Sequence, residues 1–68
     1  MDKRIKFLYK NWKGIISIRT VIPYEISFNH TEFHKEDQWL LSAFDCDKNA
    51  MRDYAMLDIL EFIKESDL

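Results

Sequence analysis

Residues 4–11 alternate, with Ile5, Phe7 and Tyr9 on one side and Lys6, Leu8 and Lys10 on the other. Successive side chains of a strand point to opposite faces, so a period of two predicts a first β-strand. Asn11-Trp12-Lys13-Gly14 reads as a hairpin turn, with Gly14 free to take positive φ. Residues 15–22 are rich in β-branched side chains and predict a second strand. In that reading Ile16, Ile18 and Thr20 face the core, while Ser17 and Arg19 face solvent. Pro23 cannot donate a ladder hydrogen bond and breaks or bends the run. Alternation resumes over residues 24–28, a third strand. Residues 29–37 are polar, contain both histidines and form the longest predicted loop. Loops on rigid scaffolds often carry function. Residues 38–45 are nearly continuously apolar, as in a central strand, and residues 45–49 are turn-like, because Asp and Asn bond their own backbone. Residues 50–55 predict a fifth strand with Arg52 and Tyr54 on one face.

From Met56 the apolar period changes. Leu57, Leu60 and Ile63 suit an amphipathic helix over residues 56–66, packed on the strands, with Phe62 on its exposed flank. Tyr9, Tyr24, Phe28 and Trp39 read as core. Five short strands followed by a helix predict a mainly β fold: a small curled antiparallel sheet or barrel, capped by a C-terminal helix, as a single domain over residues 1–68.

Composition narrows the function. Sixty-eight residues place the domain near the lower limit for independent folding, but 47% hydrophobic and 15% aromatic residues are enough for a packed core. Cys46 is the only cysteine, which excludes an internal disulfide and argues against a zinc site. The lone thiol and a charged start without an apolar leader point to a reducing, cytoplasmic setting. No apolar run approaches the roughly 20 residues of a membrane span. The net charge of −2 argues against strong binding to duplex DNA. The charges are nevertheless segregated, with Lys3, Arg4, Lys6, Lys10, Lys13 and Arg19 early and most carboxylates late. That fits either a polar binding geometry or a solvated strand face whose lysines discourage edge pairing.

Read in order, these segments resemble the WYL domain. The residues that carry the resemblance are Phe7-Leu8-Tyr9, Trp12-Lys13-Gly14, Arg19 to Pro23, Gln38-Trp39-Leu40-Leu41, and Met51 to Ile59 with Arg52 and Tyr54. The match runs over residues 4–60. It is closest to short stand-alone members, through Asn11-Trp12-Lys13-Gly14 and Thr31-Glu32-Phe33-His34. The resemblance implies a Src-homology-3-like or Sm-like barrel of five strands plus a helix. It implies a regulatory, sensor-type module that binds a nucleotide or single-stranded nucleic acid, in a family rich in transcription regulators. Leu40 replaces the tyrosine of the family name, Asp58 stands where better-known members carry a ligand-binding arginine, and no helix-turn-helix precedes the domain.

The candidate ligand-binding residues are Arg19, Arg52, Trp12 and His34. Arginine forks bind phosphate or carboxylate bidentately, and both arginines match positions of the family pattern. The competing arrangement is an internal ion pair with Asp53, Asp45 or Glu25. Trp12, at a hairpin tip, can stack on a base or fold back over the core. His30 and His34, with Glu32 and Asp37 nearby, lie on a ligand rim or are ordinary loop residues, and no third strong metal ligand accompanies them. The carboxylates beside Cys46 disfavour a reactive thiolate, and one glycine cannot build a phosphate loop. No catalytic constellation or cofactor motif is present. Two readings follow: a ligand-binding regulatory module, or a protein-interaction or homodimerisation module without a small ligand.

Overall fold

The structure, a computed structural model, describes residues 3–64. Its strands are β1 (Ile5–Lys10), β2 (Ile16–Asn29), β3 (Gln38–Asp45), β4 (Ala50–Ala55) and β5 (Ile59–Ile63), with a 3-10 turn at Met56–Asp58 between the last two. All pair antiparallel in one open sheet, ordered β4-β3-β2-β1-β5.

Two parts of the expected architecture are overturned. Among the described residues there is no α-helix: the segment expected as a helix supplies the turn and β5 instead. The rest of that expected helix and the residue 65–68 tail lie outside the described residues. Nor does the sheet close into a barrel, because β4 and β5 remain its two edges. The physical reason lies at β1. Its second edge carries backbone groups that need partners, and the apolar run at residues 59–63 satisfies them by pairing Lys6, Phe7 and Leu8 with Ile63, Phe62 and Glu61. A short apolar run fits both periods, so tertiary pairing decides it.

The second and third expected strands are one. β2 continues through Pro23, which sits opposite Ala43, and the register then shifts so that Tyr24 is left over as a bulge residue before Glu25 meets Ser42. A bulge is one of the few places where a sheet tolerates proline, and it bends the strand. The first turn forms as expected. The Asn11 side-chain oxygen accepts the N–H groups of Lys13 and Ile15, both at 2.9 Å, and Gly14 adopts φ 81°. A Cβ there would touch nothing within 4 Å, so any penalty is conformational alone. Gly14→Ala is therefore expected to lower stability in urea unfolding by about 1 kcal/mol. Gly14→Asn should recover most of it, since Asn tolerates positive φ. An alanine variant as stable as the native chain would remove this account of the turn.

The inner face is set by Phe7. Register places Arg19 opposite Phe7 and Val21 opposite Ile5, so the odd residues of early β2 share the core face. This reverses the expected orientation: Ile16 and Ile18 point outward and are exposed, while Arg19 and Val21 point inward. A one-residue slip flips every side chain of a strand, and an isoleucine-rich run gives no polar marker for its inner side. The core packs Phe7, Tyr9, Val21, Leu41, Ala43 and Tyr54. Its three rings meet edge to face, Phe7 to Tyr54 at 5.3 Å and Tyr9 to Tyr54 at 5.1 Å. Such pairs add about 0.5–1.5 kcal/mol each beyond their burial. Tyr24, Phe28, Trp39, Leu57 and Leu60, expected inside, are exposed.

Candidate functional site

One core tyrosine, Tyr54, holds a carboxylate. Asp45, at the end of β3, is only 1% exposed. Its Oδ2 accepts the Tyr54 hydroxyl at 2.8 Å, and its Oδ1 accepts the N–H groups of Asp47 and Lys48 at 2.9 and 3.0 Å. The turn at residues 45–49 is thus tied down as expected, with Asn49 at φ 57°. Burial pushes the Asp45 carboxyl up, but the Lys48 N–H, the Tyr54 hydroxyl, the Asp47 N–H and the Arg19 charge outweigh it and hold the group below its ordinary value. Tyr54 is raised, first by burial and then by its bond to the Asp45 carboxylate. Tyr9 is also raised, chiefly by burial, and its oxygen accepts the Ala55 N–H at 3.0 Å. Both phenols therefore remain neutral O–H groups at physiological pH.

Arg19 lies across this layer. Its guanidinium sits 5.7 Å from the Tyr9 ring centroid, and its Nη1 is 3.9 Å from Asp45 Oδ2. Of the carboxylates expected as internal partners, Asp45 is the one that Arg19 approaches. Yet the separation is longer than a hydrogen bond, and closer donors already occupy Asp45. Arg19 Nε is shielded from solvent and has no acceptor among the described residues. Part of the fork is uncommitted.

Arg19 opens into a cleft of about 1190 Å³ on the inner face of the sheet. Arg52 reaches the same cleft from β4, where its partner Ala43 places it on the same face as Tyr54. Arg52 is exposed and has no ion pair among the described residues. Trp12 enters from the first turn, 89% exposed, with the Lys13 ammonium 5.2 Å from its ring. His34 enters from the loop between β2 and β3. That loop is shaped by Thr31, whose N–H donates to the His34 carbonyl at 2.8 Å and whose Oγ1 accepts the N–H groups of Phe33 and His34. His30 does not join the cleft; its Nδ1 lies 2.7 Å from Asp37 Oδ1 and clasps the loop.

All four residues singled out from the sequence, Arg19, Arg52, Trp12 and His34, thus line one cleft, although they come from separate parts of the chain. Sequence reasoning missed Phe33, Lys48 and the two tyrosines of its wall. Phe33 is 85% exposed beside His34 in the loop, and an aromatic amid polar loop residues was the available signal. The basic N-terminal segment does not act as one surface. Arg19 faces the cleft, but Lys6 and Lys10 share the outer face with Leu8 and Ile18. Asp58 also lines the cleft and adds negative charge near Tyr9. Chemically, the cleft offers guanidinium and ammonium donors over a neutral phenol floor, with aromatic lips. Among the described residues no group of three or more His, Cys, Asp or Glu side chains could hold a metal ion, and no helix is long and apolar enough to cross a membrane. Comparison with family models, with curated proteins and with solved structures found no match to the chain.

Proposed function

We propose that the protein is a binding module and not an enzyme, and that its inner cleft takes a phosphate-bearing aromatic ligand, a nucleotide or a short stretch of single-stranded nucleic acid. The observation that carries this reading is the convergence of Arg19, Arg52, Trp12 and His34 on one open cleft. Guanidinium groups recognise phosphate oxygens, and exposed aromatic rings stack on bases with little sequence preference. Arg19 supports an anion in that place, because its guanidinium is partly exposed and its nearest carboxylate oxygen, 3.9 Å from Nη1, is already held by the closer Tyr54 hydroxyl. The resemblance to WYL domains points to the same ligand class, and a regulatory role in the cytoplasm belongs to the same proposal. Asp58 and the net charge of −2 favour a short or single-stranded ligand over duplex DNA.

Trp12 reports on the cleft directly. In a Trp39→Phe background, where Trp12 is the remaining tryptophan, nucleoside triphosphates or short oligodeoxynucleotides are expected to quench its emission saturably at low salt. Raising the salt should weaken binding. Quenching that is linear in ligand, or equal in a Trp12→Phe, Trp39-only chain, would refute the proposal.

A further inference from the structure

We infer that the cleft prefers guanine among the bases, and that Asp58 reads it by accepting the two adjacent N–H donors of the guanine edge. Guanine recognition rests on the nucleotide reading of the cleft and adds the identity of the base. Three carboxylates line the cleft, and they are not equivalent. Asp53 already accepts the Ser42 hydroxyl at 2.7 Å. Glu32 stands exposed in the loop beside Phe33. Asp58 is half-buried, and its side chain makes no hydrogen bond or ion pair among the described residues. Its place is fixed by the backbone, where the Ile59 N–H closes the 3-10 turn on the Met56 carbonyl.

An ionised carboxylate only accepts hydrogen bonds. In a cleft that takes phosphate it lowers affinity unless another part of the ligand donates to it. The cationic and anionic ends of this cleft stay apart. Burial and the Ala55 N–H act most on the Tyr9 phenol, and beyond them Asp58 raises it while Arg19 lowers it. Both charges therefore lie near Tyr9, yet they form no ion pair with each other. A nucleotide matches that separation, with phosphate for the guanidinium groups and a base edge for the carboxylate. Guanine presents two neighbouring donors, its ring N–H and its amino group, one for each carboxylate oxygen. Adenine and cytosine set an amino group beside a ring-nitrogen acceptor, and uracil and thymine set one N–H between two carbonyls. Each of these turns a lone pair toward the second carboxylate oxygen. A site built to accept from a donor rejects an analogue that lacks it.

Calorimetric titration of the native chain at low salt tests this assignment. The ligands are guanosine, inosine and adenosine triphosphates, and short thymidylate strands carrying one central guanine or adenine. The guanine forms are expected to bind roughly tenfold tighter than the adenine forms, with inosine triphosphate between because it lacks the amino donor. Asp58→Asn should abolish the preference with unchanged circular dichroism. It should also bind xanthosine triphosphate better than the native chain does, because its amide donates to the carbonyl that replaces the guanine amino group. A merely structural aspartate would give no such gain. Equal binding of guanine and adenine forms by the native chain overturns the assignment, as does a preference that survives in Asp58→Asn, and in both cases the cleft remains a nucleotide site. If no ligand of either kind binds, the nucleotide reading of the cleft falls and guanine recognition falls with it.

Discussion

Asp45→Ala should leave the chain largely unfolded at room temperature. The carboxylate is the common acceptor for the Tyr54 hydroxyl and two backbone N–H groups, and its removal strands them. Stranding one buried donor costs about 1–3 kcal/mol, and breaking a buried charged network by removing one partner costs about 3–5 kcal/mol. A domain of this size has roughly 3–10 kcal/mol in total. Asp45→Asn keeps an acceptor oxygen on one side and should lose visibly less. The same group makes stability acid-sensitive. Its carboxyl is held below the ordinary value of 3.8, so its contribution is complete above that value and is lost as the pH falls through the depressed folded-state value. Urea unfolding as a function of pH should therefore show a decline below about pH 4 that is flatter in Asp45→Asn. An alanine variant within 1 kcal/mol of the native chain would mean that the network is ornamental.

The second large effect concerns the ligand. Arg19→Gln and Arg52→Gln should each weaken nucleotide or oligonucleotide binding about 10–100-fold, since a hydrogen bond to a charged group is worth about 1.5–3 kcal/mol. The double variant should not bind measurably. The two singles differ in a second readout. Arg52 is exposed without an ion pair among the described residues, so its loss should leave stability unchanged. Arg19 rests over Tyr9 and near Asp45, so its loss should lower stability as well, by about 1 kcal/mol. Calorimetric titration alongside urea unfolding separates the effects. Binding that survives in the double variant would place the ligand elsewhere.

Local signals were legible where a residue type has one physical use. Gly14 marked a positive-φ turn, Asp45 and Asn49 marked a self-bonded turn, and residues 38–45 and 50–55 became strands with the expected bounds. The four candidate site residues were singled out because arginine forks suit anions and match the WYL pattern, a tryptophan at a hairpin tip can stack on a base, and His34 lies in the longest predicted loop. What the sequence hid depended on pairing. Nothing local shows that β1 needs a second neighbour, so residues 59–63 read as helix. Nothing in Ile16-Ser17-Ile18-Arg19 says that the arginine points inward, because the register against Phe7 decides it. Phe28 and Trp39 read as core from their apolarity, yet they sit past the end of β4, where no layer covers them. Asp45 as the hub beneath the cleft needed Tyr54 and Arg19 in space, nine and twenty-six positions away in the chain.

Chemical-shift mapping on the labelled native chain bears most directly on the cleft. Single-stranded oligonucleotides and nucleotides are added to millimolar concentration at low salt. The expected perturbations cluster at Trp12, Arg19, His34 and Arg52 and spare the Phe28–Trp39 arm. Shifts that are absent, or that scatter over the outer face around Lys6 and Lys10, would contradict a ligand-binding cleft.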